Sequence, residues 1–171
     1  MVGRESDPEA LARSIALRLL TGAPRSRAEL AEAMARKDVP DDVAAAVLDR
    51  FTTVGLIDDA EYAQMLVRSG HADRGLARRA LELQLRRKGI DDELVANALG
   101  TLDADQEEAT ARELARRRLA SMSGLAGEVR ARRILAMLGR KGYPTGLAVR
   151  IVRELVDDEN SGIPDGCLGD D

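Results

Sequence analysis

An all-α fold, an elongated array of three tandem three-helix repeats, is predicted by three observations on this 171-residue chain. The first is a threefold internal match headed by Arg36-Lys37, Arg87-Lys88 and Arg140-Lys141, spaced 51 and 53 positions apart. Apolar columns agree around these pairs: Leu30/Leu81/Ile134, Met34/Leu85/Leu138, Val39/Ile90/Tyr143, Val43/Leu94/Leu147, Val47/Ala98/Ile151, Leu48/Leu99/Val152 and Phe51/Leu102/Leu155. A period near fifty residues marks stacked supersecondary units, each burying its apolar face partly against its neighbours. The second observation is spacing. Leu30 and Met34 stand four apart, and Val43, Val47, Leu48 and Phe51 follow at i, i+4, i+5 and i+8, the pattern of one helical face. The third is the lack of strand alternation, with aromatics confined to Phe51, Tyr62 and Tyr143, which makes a β-rich core a poor fit.

In chain order, the first unit opens with a helix over Ala10 to Leu20. Ser26 with Glu29 forms a capping-box signal for the next helix, because the hydroxyl accepts a free amide proton while the carboxylate reaches back. Gly89 and Gly142 stand where a left-handed residue closes the matched helix of units two and three, and Asp38 holds that place in unit one. Pro40 and Pro144 occupy one repeat position, suited to the first turn of a helix where a missing amide proton costs least. The opening helices of the later units are placed at Ala60 to Ser69 and Asp105 to Met122, and Ile15, Leu66 and Leu119 align under the shared register. The expected organisation is a disordered N-terminus over 1–9, repeats over 10–57, 58–103 and 104–156, and a disordered acidic tail over 157–171.

The formal net charge of −4 conceals segregation. Arg112 to Arg153 carries eleven bases against Glu113 and Glu128, and Arg68 to Ile90 carries seven against Asp73 and Glu82. Asp91 to Glu108 holds seven acids and no base, and Asp157 to Asp171 six and none. Part of this pattern is ordinary helix chemistry, since acids at helix starts and bases at helix ends complement the macrodipole. Opposite potentials on different faces also suit docking onto an assembly that carries both signs. Cys167 is the single cysteine, which excludes an intramolecular disulfide. With no signal-like start and no long apolar run, a soluble cytoplasmic protein, outside the membrane and monomeric, is expected.

Side-chain direction nominates a contact surface. With Leu81 and Leu85 inward, an advance of about 100° per residue puts Arg79, Leu83, Arg86 and Arg87 on the far side. The same face carries Arg132, Ala136, Gly139 and Arg140 in unit three, but Ala28, Glu32, Ala35 and Arg36 in unit one. Arg79, Leu83, Arg86, Arg87, Arg132 and Arg140, with Lys88 and Lys141 from the repeated motif and Arg116 and Arg117 from the basic run of the third unit, form the candidate partner-binding set, and the row is weak in unit one. No catalytic set assembles. His71 is expected in a solvated loop and Cys167 in the tail, the carboxylates fall where helix starts use them, and no glycine pattern forms a phosphate loop. A protein that is not an enzyme and needs no cofactor or metal is expected.

The stretch Gly55-Leu56-Ile57-Asp58-Asp59-Ala60-Glu61-Tyr62-Ala63, with Arg68, Gly75, Arg78-Arg79, Leu81, Leu85 and Arg87-Lys88-Gly89-Ile90, resembles the signature of the RecX family of bacterial recombination regulators. Ile134, Leu138 and Arg140-Lys141-Gly142-Tyr143 repeat the motif in unit three, and Glu29-Leu30 with Arg36-Lys37 form a weaker first copy. The resemblance spans about Ala10 to Val156. It implies binding to the RecA recombinase in the groove of its filament on single-stranded DNA, with inhibition of ATP hydrolysis, strand exchange and cleavage of the SOS repressor. A direct DNA-binding regulator built from basic three-helix modules is the alternative, with weak nonspecific DNA binding expected in either case. Against that alternative, the outward row lacks Asn or Gln for adenine edges, and few aromatics are available for stacking on bases.

Overall fold

The computed structural model describes residues 7–161, and among them every regular element is a helix. The first repeat contains α1 (Pro8–Gly22), α2 (Arg27–Ala35) and α3 (Asp41–Thr53), and the second α4 (Asp59–Arg74), α5 (Arg78–Arg87) and α6 (Asp92–Gly100). The third contains α7 (Ala104–Ala120), α8 (Gly127–Arg140) and α9 (Thr145–Ser161). Several helix starts follow polar residues, whereas Pro40 and Ala126 precede α3 and α8 without a side-chain cap. Asp7, Asp91 and Asp103 accept amide protons from Glu9, Glu93 and Asp105, and Ser26 and Glu29 complete the predicted capping box. Each middle helix closes through the same bond: Val39 N donates to Met34 O at 3.2 Å, Ile90 N to Leu85 O at 3.2 Å and Tyr143 N to Leu138 O at 3.1 Å. This closure needs a left-handed residue, supplied by Asp38 at φ 57°, Gly89 at 69° and Gly142 at 90°. It also joins the second apolar column to the third, which explains why both are buried.

Burial follows six of the seven predicted columns. The Val43/Leu94/Leu147 column is half-buried, and the next residues, Ala44, Val95 and Ala148, take the interior instead. Register also differs in the opening helices. Small residues at i and i+4 lie inside in all three, Ala12/Ala16, Ala63/Val67 and Ala111/Ala115, whereas Leu66 and Leu119 are half-buried. In α1 and α7 these small side chains face the other two helices of the repeat.

Several boundaries move. The N-terminal segment over 1–9 was expected without structure, but Asp7 caps α1 and Pro8 sits in its first turn, so order begins there. Residues 1–6 lie outside the described residues. Helix α9 passes the expected end at 156 and reaches Ser161, because no Gly or Pro interrupts the chain before Gly162. The rest of the acidic tail, Cys167 included, lies outside the described residues. Helix α4 runs five residues past Ser69, up to Gly75 at φ 60°, and therefore contains His71. Pro40 is the N-cap of α3 rather than a first-turn residue.

The chain forms two compact units. Residues up to Ser69 pack with Leu81–Thr101, and Gly70–Ala80 pack with the residues from Leu102 onward. In the first, α1, α2 and α3 pack mutually, and Leu30, Met34, Leu48 and Phe51 lie in their core. In the second, α7, α8 and α9 do the same around Ile134, Leu138 and Ile151.

Candidate functional site

Within each unit, the Lys-Gly turn of one repeat seats on the start of the preceding repeat's middle helix. In the first unit, Ser26 Oγ donates to Lys88 O, and Gly89 lies so close that a Cβ there would stand 2.4 Å from the Ala28 Cβ. In the second, Ala77 N donates to Lys141 O at 2.9 Å, and a Cβ on Gly142 would stand 2.7 Å from Ala80 N. The motif lysines serve these junctions. Lys88 Nζ donates to Glu29 Oε1 at 2.6 Å and Lys141 Nζ donates to Arg74 O. Tyr143 is buried and donates to Gly75 O at 3.0 Å, and burial, helped by the charge of Glu107, pushes its phenol up to about 12.

Glu29 is the centre of the first junction. It accepts from Lys88 Nζ, Ser26 N at 3.0 Å and Tyr62 OH at 3.2 Å. Burial pushes its carboxyl up, but the bonds from Lys88, Ser26 and Tyr62 outweigh burial and hold it below its ordinary value of 4.5. A carboxyl depressed in the folded state contributes stability above its unfolded value, and that stability is lost as pH falls through the folded value. Glu29→Gln should therefore cost about 1–3 kcal/mol at neutral pH. In paired denaturant melts of parent and variant, the gap should close as pH drops below 4.5; a gap independent of pH would remove this role.

The predicted partner-binding residues separate into engaged and unengaged groups. On α5, Leu81 and Leu85 are buried while Arg79, Arg86 and Arg87 are exposed and Leu83 is 51% exposed. Arg86 pairs with Glu82 and Asp92, and Arg117 pairs with Glu113. Arg79, Arg87, Arg116, Arg132 and Arg140 are exposed and have no carboxylate partner among the described residues. In the second unit an open groove of about 700 Å3 brings Arg117 and Lys141 together with Arg74, Thr110 and Asp73. In the first unit Ala28, at the position of Arg79 and Arg132, faces Gly89, so the outward row is interrupted there by the junction.

His71 corrects an expectation. It is 7% exposed inside α4, with Nδ1 3.0 Å from Leu76 O and Nε2 3.1 Å from Thr110 Oγ1. A carbonyl only accepts, so Nδ1 carries the proton of this bond. The ring ties the α4 end to α7; the extra turn of α4 draws it in, and sequence spacing alone did not show that turn. Among the described residues no group of His, Cys, Asp or Glu is placed to hold a metal ion, and no helix is long and apolar enough to cross a membrane.

Comparison with known proteins supplies the family. Models of the first, second and third three-helix domains of RecX match residues 12–51, 58–99 and 105–152. The chain is 54% identical over 160 residues to "Regulatory protein RecX" of Thermobifida fusca (strain YX), covering 92% of this chain and 86% of that protein. It is 50% identical over 153 residues to the protein of the same name from Streptomyces coelicolor, covering 90% and 81%. The crystal structure of RecX from Lactobacillus salivarius superposes with a TM-score of 0.76 at 23% identity, over 88% of this chain and 98% of that one, and shares its fold.

Proposed function

Since the chain belongs to the RecX family of regulatory proteins, we propose that it binds the RecA recombinase and its filament on single-stranded DNA, and restrains filament activity. Lower ATP hydrolysis, strand exchange and SOS-repressor cleavage follow from that reading, which places the protein in the cytoplasm, as a monomer. The observation that carries it is the recurrence of exposed arginines without carboxylate partners at matched positions, Arg79 with Arg132 and Arg87 with Arg140. A filament presents the same surface at every protomer, so a repeat protein can offer it the same contact more than once, and weak contacts combine through effective concentration. Better fit to one filament state shifts the filament toward that state without any covalent step. The unpaired arginines also favour a second reading, direct binding to DNA phosphates.

The test is RecA ATPase activity on single-stranded DNA with substoichiometric protein. Inhibition at a small fraction of the protein needed to cover the DNA supports the filament reading, whereas inhibition in proportion to DNA sites supports simple competition. Arg79→Glu with Arg132→Glu should abolish inhibition and leave helicity and melting temperature nearly unchanged, because exposed substitutions shift stability by only about 0.5 kcal/mol. A double variant that inhibits as the parent does assigns the contact to another face. Salt gives an independent check. Binding to naked single strands should fall with a log-log slope of about −0.7 per phosphate neutralised, and attachment to filaments, which also uses Leu83, should fall less steeply.

A further inference from the structure

The turn from α3 to α4 carries chemistry opposite in sign to the arginine rows. In the first unit a pocket of about 390 Å3 is walled by Ile57, Ala60 and Leu94, with Asp58 and Asp59 beside them. Asp59 Oδ1 accepts from Arg27 N at 2.9 Å. Burial raises its carboxyl above the ordinary value, and the bond and charge of Arg27 reduce that rise without cancelling it. Arg27 also lines the pocket, its guanidinium held at the rim by Asp49 at 2.6 Å and Thr52 at 3.4 Å. Asp58 Oδ1 accepts from Glu61 N at 2.9 Å and caps α4. On either side of the lining Gly55, Val54 is 63% exposed and Leu56 49%.

We infer that this pocket receives an arginine or lysine side chain presented, beside an apolar residue, by a protein partner. The methylene stem of such a side chain fits the wall of Ile57, Ala60 and Leu94, its charged head reaches the two carboxylates, and Val54 and Leu56 meet its apolar neighbour. Asp59, half-buried with a neutral backbone donor as its bonded partner, is the group with most to gain from a cation. The lining cation Arg27 is paired with Asp49, so Asp58 and Asp59 set the sign of the pocket and disfavour phosphate. The inference rests on the proposed function only in taking the RecA filament as that protein surface.

Asp58→Asn with Asp59→Asn keeps an oxygen for both the Glu61 and Arg27 amides and removes both charges, so helicity and melting should hold. Titration of the isotopically labelled parent with N-acetyl-arginine amide should give saturable shifts at the Ile57, Asp59 and Leu94 amides. N-acetyl-glutamine amide should not, and the double variant should lose the response. On RecA filaments the variant should bind about tenfold more weakly, the size of one lost charge-assisted bond, while its affinity for naked single-stranded DNA stays level or rises. Absence of localised arginine shifts, or filament binding equal to the parent's, overturns the inference. If the parent prefers filaments no more than naked DNA, the functional proposal fails, and the arginine titration alone decides the pocket.

Discussion

Gly142→Ala is expected to destabilise the protein by about 2–5 kcal/mol, the combined scale of left-handed strain and an overpacked contact. Two independent costs act at this position. Its φ of 90° is one an L-residue rarely adopts, and an added Cβ would fall 2.7 Å from Ala80 N and 2.8 Å from the Ala80 Cβ. Backbone atoms cannot swing aside as the end of a flexible side chain can. The Ala77–Lys141 and Tyr143–Gly75 bonds should open with the displaced turn, and hydrogen exchange at Ala77 should quicken. Gly139→Ala is the matched control: it lies in α8 with open space around it, so alanine there should be neutral or stabilising by up to about 1 kcal/mol. Equal denaturant midpoints for the two variants would show that the turn does not depend on close approach.

Leu85→Ala and Leu138→Ala should each cost about 2–5 kcal/mol, because each opens a cavity at a site 1% and 0% exposed. Each leucine also supplies the carbonyl that closes its helix, so the column has a packing role and a termination role at once. Chemical denaturation of each variant measures the loss. Values under about 0.5 kcal/mol at both positions would contradict the equivalence of the two repeats.

Most of this architecture was legible because large apolar residues, capping pairs and turn glycines each report on local geometry. Leu30, Met34 and their counterparts gave the middle helices, and Ser26 with Glu29 gave a start. The opening helices are less legible because their interior positions are alanines such as Ala111 and Ala115, whose small side chains leave a weak apolar pattern. Recurring small residues four apart were the available signal. His71 lies inside α4 because the helix runs on past Gly70, through the good helix formers Ala72 and Arg74, and ends only at Gly75. The candidate surface was visible as a row of arginines opposite the buried leucines. The engagement of Lys88 by Glu29 and of Lys141 by Arg74 was not, since those contacts span 59 and 67 residues.

The seating of a bare Cα against an alanine also distinguishes the end repeats from the middle one. Asp38 carries a Cβ where Gly89 and Gly142 have none, so the turn of the first repeat lacks the bare Cα that seats the other two. At the other end α8 begins at Gly127, and Arg130, matched with Ser26 and Ala77, lies inside the helix instead of at its start. Among the described residues the second repeat alone both seats its turn on a neighbour and receives one, and an array extended in the same manner would require changes at Asp38 or in α8 as well as a duplicated segment.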